Sequence, residues 1–330
     1  MSHYSPHPSS SFEGYYQRFR LPSGASICLI VSAVFGVENR PYMISFTHVT
    51  SDGKTVWQKE YWSKKWETNI QQGDDYTLEW DDGGFGFEDG KVYWKMQTKE
   101  VEFEAHQVSR AVPWQPQDPS STPAGFMARF PLPIQWHVHT VDAEVPFSLK
   151  LSEVDLAKGD EEGIAQAHVE KNWAVSFPNS YVWMQARKNN KGLSLAGGSL
   201  LPGIQAYLVG YQGDSFVSFK PPTSTSIFGL SLGLYSEVIS SKGVIIIDIL
   251  GWFKRLRISG KCDPSTYFSF AAPLSTGHEP DYTVQSYASD ITVEVYERSW
   301  PWQSWTCIEK EAFTGGGMEF GGDAYERHED

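Results

Sequence analysis

The chain has 330 residues, enough for two ordinary domains or one large β architecture with a substantial core. Its 27 Lys plus Arg against 40 Asp plus Glu leave a net charge of −13, with no basic patch to offset it, which disfavours phosphate backbones and anionic membranes as partners. Three cysteines without CxxC spacing (Cys28, Cys262, Cys307) indicate neither a disulfide framework nor a zinc site, and fit a reducing compartment.

The opening MSHYSPHPSSS is polar and rich in Pro and Ser, so residues 1–11 read as a disordered leader. The longest apolar runs, ICLIVSAVFG and VIIIDILGWF, are about half the length of a membrane span. A cytoplasmic protein without a membrane span is expected. From there strand signals dominate, in order from GASICLIVSAVF and YMISFTHVT through IQWHVHTV and YVWMQA to GVIIIDIL and ITVEVYER. They are short, β-branched or aromatic, and separated by turn pairs such as Asp52-Gly53, Asp82-Gly83 and Asp89-Gly90.

Fifteen or so such segments exceed one sandwich and predict an all-β protein of two antiparallel barrel or sandwich halves. The acidic, Gly-containing SEVDLAKGDEEGIAQ marks the expected junction, giving domains at 12–160 and 161–330. The four prolines of VPWQPQDPSSTPAG predict a long loop inside the first half. EEGIAQAHVEKN is the only passable helix candidate, with Gly163 against it. The terminal TGGGMEFGG lacks the Lys-Ser/Thr of a phosphate loop and reads as a bulged or closely packed strand.

One stretch, HVEKNWAVSFPNSYVWMQA, interleaves charge and aromatic rings. Its Glu-Lys-Asn-Trp, Phe-Pro and aromatic-x-Trp-x-Gln pattern resembles tocopherol cyclase. SFEGYYQRFRLP, AGFMARFPLPIQWHV, LAGGSLLPG and SEVISSKGVIIIDI resemble further segments of that family in the same order, so the likeness spans nearly the whole chain. It implies two lipocalin-like β halves with a cavity at or near their interface, a fold shared with carotenoid hydratase-like proteins and fungal decalin-forming cyclases. It also implies ring closure of a small hydrophobic substrate, a prenylated aromatic or polyene, without cofactor or metal. The chain departs from the plant-type proteins in lacking their plastid leader and long insertions, and in reading TSIFGLSLGLYSEV where further tryptophans are expected. Those departures bear on the pocket lining and hence the substrate.

Acid-initiated closure needs a protonated acid, π faces for the resulting cation and an acceptor for the phenol proton. Glu170, in the segment that carries Trp173 and Phe177, is the first candidate acid, with an ion pair to Lys171 or another structural pairing as the alternative. Asp248 interrupts VIIIDIL on the face of Ile246 and Leu250, placed either to enter an apolar cavity or to make a buried structural bond. Asp142 and Glu13 are further carboxyl candidates.

In QWHVHTVD the two-residue period sets Gln135, His137 and His139 on one face and Trp136, Val138 and Asp142 on the other, so the histidines are candidate proton relays or core residues. Tyr181, Trp183 and Gln185 share a face that offers rings and an amide. The motif adds Lys171, Asn172, Trp173 and Phe177 as substrate contacts, and Tyr15, Tyr16 and Trp136 complete an aromatic lining by their motif positions. A pericyclase that works by substrate preorganisation and a carrier of small hydrophobic ligands without turnover remain the alternatives.

Overall fold

The computed structural model describes residues 5–71, 75–109, 111–118, 120–130, 132, 134–175, 177–231 and 233–326. Apart from three short 3-10 turns, the regular structure of these residues is all β. The first sheet consists of β1 (Phe12–Arg20), β2 (Ser26–Val34), β3 (Tyr42–Val49), β4 (Val56–Ser63), β5 (Glu67–Ile70), β6 (Tyr76–Trp80), β7 (Gly83–Glu88), β8 (Lys91–Gln97), β9 (Val101–His106), β10 (Ile134–Leu151) and β11 (Glu162–Ala174). Its order is β4-β3-β2-β1-β11-β10-β9-β8-β7-β6-β5. The edge strands β4 and β5 are successive in the chain, and Ser63 at the end of β4 donates to Asp81 in the β6–β7 turn (3.0 Å), so the sheet curls until its edges meet.

The second sheet holds β12 (Ser180–Lys188), β13 (Lys191–Leu201), β14 (Ile204–Gln212), β15 (Phe216–Phe219), β16 (Thr225–Ile227), β17 (Leu230–Ser231), β18 (Leu234–Ile239), β19 (Val244–Leu250), β20 (Lys254–Lys261), β21 (Phe268–Leu274), β22 (Gly277–Glu297) and β23 (Thr306–Gly322). Its path runs β17-β16-β14-β13-β12-β23-β22-β20-β19-β18, with β15 on β14 and β21 on β22. Here too the edge strands, β17 and β18, are successive. Each sheet is thus a barrel-like half that leaves little open edge.

The chain divides into two compact units. The first holds everything up to Thr122, Phe126–Phe177 and Ala272–Glu279; the second holds Pro123–Gly125, Pro178–Ala271 and Pro280–Asp330. The junction expected at 160/161 therefore falls at 177/178, because the segment read as a possible helix is strand β11, hydrogen-bonded between β1 and β10 of the first sheet. Residues 5–11 are likewise ordered where a disordered leader was expected: the His7 amide donates to both oxygens of Glu13 at 3.0 Å. Residues 1–4 lie outside the described ones.

Alternation builds each core. In the first unit Tyr15, Phe19, Leu29, Val31, Phe46, Phe85, Trp94 and Phe103 face inward; in the second Val182, Met184, Ile245, Ile247, Ile249, Val293 and Phe320 do. Burying each of these large side chains contributes about 1.5–3 kcal/mol. The glycine-rich final strand is closely packed as its composition suggested. A Cβ at Gly321 would stand 1.9 Å from the Tyr181 ring, so only glycine lets that ring lie flat on β23.

Candidate functional site

Strand β11 deals its residues alternately to two surfaces. Ala165, Ala167, Val169, Lys171 and Trp173 point into the first barrel, while His168, Glu170 and Asn172 point away from it.

On the inward side Lys171 and Glu13 are fully buried and paired at 2.6 Å. The ammonium also donates to the Ser5 carbonyl (2.8 Å), faces His7 Nδ1 (3.2 Å) and reaches Tyr15 Oη (3.4 Å). It sits 4.8 Å above the Tyr15 ring and 5.1 Å above that of Trp173, and the His7 ring stacks on Trp173 at 3.9 Å. Burial pushes the Glu13 carboxyl up, but the Lys171 charge and the His7 bonds outweigh it and hold Glu13 below its ordinary value. Burial lowers Lys171 against the pull of Glu13, and drives Tyr15 well up.

His137 is the register partner of Lys171, and His139 lies in a β10 bulge with its ring 5.0 Å from His137 and 5.9 Å from Phe87. Burial, reinforced by the His137, Lys171 and His7 charges, keeps His139 neutral far below its usual range. An ammonium already engaged by a carboxylate, a carbonyl and an imidazole has little left to offer a ligand, so the inward cluster is a structural clamp.

The outward side differs in kind. His168 Nε2 lies 2.9 Å from Glu170 Oε2, and its Nδ1 lies 3.4 Å from the Val141 carbonyl. A buried imidazole and carboxyl thus stand within hydrogen-bond distance, placed to pass a proton between them. In register beside it stand Tyr16 on β1 (opposite Glu170), Arg18 (opposite His168) and Trp136 on β10 (opposite Asn172), with Trp114 edge-on to Trp136 at 5.5 Å. Asn172 Oδ1 and Trp136 Nε1 are buried without a hydrogen-bond partner among the described residues. Gly14, opposite Asn172, leaves room for that amide: a Cβ there would come within 3.0 Å of Oδ1. A buried acceptor and donor left unmade are costly, and such atoms mark places where a ligand or water completes the site.

The structure thus brings Glu170, Asn172, Tyr16 and Trp136 together and sets Tyr15, Lys171, Trp173, His137 and His139 on the opposite surface. Phe177 packs on Phe12 at 5.5 Å, at the end of the first unit. Asp142 is half-buried where β10 shifts register. Asp248 shares its face with Ile246 and Leu250, but the second core lies on the other side of β19. Its carboxylate takes a two-pronged bond from Arg255 (Nε at 2.8 Å, and Nη2), whose guanidinium covers Tyr296. Of the two placements expected for Asp248, the structure has the structural bond: a buried carboxylate paired with Arg255, on the side of β19 away from the second core.

In the second unit Tyr181, Trp183 and Gln185 do share a face, opposite the core residues Val182, Met184 and Ala186. Sequence reasoning missed their companion Glu319, which accepts from Tyr181 (2.5 Å) and from Gln285 (3.1 Å), while Tyr181 also meets Thr283 at 2.6 Å. Burial and the Glu319 charge raise Tyr181 well above its ordinary value. The alternation of MEFGG, with Met318 and Phe320 in the core, was the available signal. His168 was missed as well: the two-residue spacing to Glu170 was visible, but a segment read as a possible helix gives it no meaning.

No group of three or more His, Cys, Asp or Glu placed to hold a metal occurs among the described residues. No helix among them is long and apolar enough to cross a membrane.

Solved structures share this architecture. CghA in complex with Sch210972 superposes with a TM-score of 0.62 at 11% identity, over 95% of this chain and 88% of that one. Kievitone hydratase from Nectria haematococca gives 0.54 at 11% identity, over 98% and 92%. A protein assigned as AttH from Nitrosomonas europaea gives 0.53 at 13%, over 97% and 95%. At these identities the likeness is one of fold, that of two-halved lipocalin-like β proteins. No family model matches the chain, and no curated protein matches it in sequence.

Proposed function

We propose that the protein is a cyclase- or hydratase-type enzyme of secondary metabolism, acting on a hydrophobic prenylated aromatic or polyene by protonating one of its alkenes. The observation that carries this reading is the buried His168–Glu170 pair, an imidazole and a carboxyl 2.9 Å apart, beside the rings of Tyr16 and Trp136. The fold it shares with CghA and kievitone hydratase, and the resemblance to tocopherol cyclase, support it.

The proton leaves the pair for the less substituted alkene carbon, the π electrons forming the new C–H bond and leaving a tertiary cation. Ring faces stabilise that cation, and a phenolic oxygen of the same molecule, or water, closes on it with a lone pair. The O–H proton released returns to the pair. Protons balance over the cycle, so the reaction calls for no oxidant, reductant or cofactor. Positioned acid catalysis of this kind contributes about 10²–10⁴-fold.

The unpartnered Trp136 N–H favours a second reading: a donor that polarises a substrate carbonyl while the site enforces a reactive conformer, a pericyclic closure without a strong acid. Incubation with a panel of prenylated phenols and linear polyenes separates the two. Turnover that disappears in Glu170→Gln and His168→Asn supports protonation. Turnover that survives both leaves the pericyclic reading, and binding without turnover leaves a carrier.

A further inference from the structure

Two neighbouring turns of the second unit display large aromatic side chains to solvent. Residues 251–253 join β19 to β20, and residues 298–305 join β22 to β23. Trp252 is 75% exposed, Phe253 52%, Trp300 61% and Trp302 83%.

These side chains stand on an organised base. Arg298 donates its backbone N–H to the Phe253 carbonyl (3.0 Å) and its Nε to the Trp252 carbonyl (2.8 Å), and its guanidinium covers Trp305 at 4.1 Å. Within the second turn Ser299 donates to Gln303 Oε1 (2.9 Å), and Trp300 and Trp302 stack at 5.8 Å. The sequences LGWF and SWPWQSW that form the tips carry no charge, and the flanking Lys254 and Glu297 neutralise each other at 3.1 Å.

Exposed apolar surface of this kind requires an occupant. The four side chains offer about 500 Å², below the roughly 800 Å² per partner of a stable protein interface. A bilayer surface needs no matching partner face, and tryptophan at a protruding tip suits the headgroup layer, where its ring is apolar and its N–H stays wet. The chain's net charge of −13, against the single Arg298 at the base of tips that carry no charge themselves, favours a zwitterionic surface over an anionic one.

We propose that the 251–253 and 298–305 turns form a peripheral anchor that seats in the interface of uncharged bilayers. The proposal is independent of the chemistry assigned to Glu170. Flotation of the full chain with phosphatidylcholine vesicles tests it, with tryptophan emission read in parallel. The expected result is co-flotation with a blue shift, reduced at least tenfold in Trp300→Ser plus Trp302→Ser with circular dichroism unchanged, and weaker binding to phosphatidylserine vesicles. No flotation at millimolar lipid, equal flotation of the double variant, or preference for the anionic vesicles overturns it. So does a dimer in light scattering that the double variant dissolves, which would assign the patch to a second copy.

Discussion

The two faces of β11 are two answers to one problem, that of placing ionisable groups away from water. On the inward face the two opposite charges meet and share further partners: Lys171 is held by Glu13, Ser5, His7 and Tyr15. On the outward face His168 and Glu170 meet at 2.9 Å, and Asn172 and Trp136 keep an acceptor and a donor unmade. The inward ion pair is spent on the chain itself, whereas the Asn172 acceptor and Trp136 donor are left for a ligand or water.

The comparison can be broken most sharply at Glu170. Glu170→Gln should lower turnover by about 10²–10⁴-fold while leaving the urea midpoint near that of the parent. A large loss of stability instead would place Glu170 on the structural side of the divide. Lys171→Met should do the reverse, costing about 3–5 kcal/mol because it strands the buried Glu13 carboxylate. Most of that loss should return in Lys171→Met plus Glu13→Leu, as chemical denaturation would show.

The pH dependence of stability probes the same inward cluster. The folded protein holds His7 and His139 below their ordinary 6.5, so on acidification the unfolded chain takes up their protons first, and stability falls as pH drops below about 6.5. Glu13, held below 4.5 in the folded state, contributes stability that is complete above that value and is lost as pH falls further. Each proton steepens the decline by about 1.4 kcal/mol per pH unit. Denaturation curves between pH 8 and 4 should show the decline in the parent and a shallower one below pH 4.5 in Lys171→Met plus Glu13→Leu. A flat profile in the parent would contradict the buried neutral imidazoles. The smallest effect is expected at Asn172→Leu, which removes an unsatisfied acceptor at similar volume. Stability should hold or rise by about 1 kcal/mol, while titration with a bound ligand reports weaker affinity.

The all-β architecture and its two halves were legible in the strand periods, turn pairs and aromatic content, because these are local properties. So was the pairing of side chains by face along β10 and β12. The junction was not: the acidic loop before residue 162 looks like a linker, and only hydrogen bonding to β1 and β10 reveals that β11 closes the first barrel. The same misreading hid the division of HVEKNWA, since a segment taken for a possible helix has no two-residue faces. Glu170, Tyr16, Asn172 and Trp136 were candidates on motif grounds, yet they were grouped with Lys171, Tyr15 and Trp173, which the pleat sends the other way. His7 lies far in sequence from Lys171 and Trp173, and Glu319 from Tyr181, and nothing local announces such long-range partners.

The hold of Lys171 on Ser5 and His7 has a practical corollary for handling the chain. A protease cut or a shortened gene that began the protein at Phe12 would strip two of the ammonium's contacts and Glu13's imidazole from the buried ion pair. What looks like a dispensable tail is therefore part of the clamp, and trimming it should loosen the first barrel while the second stays intact.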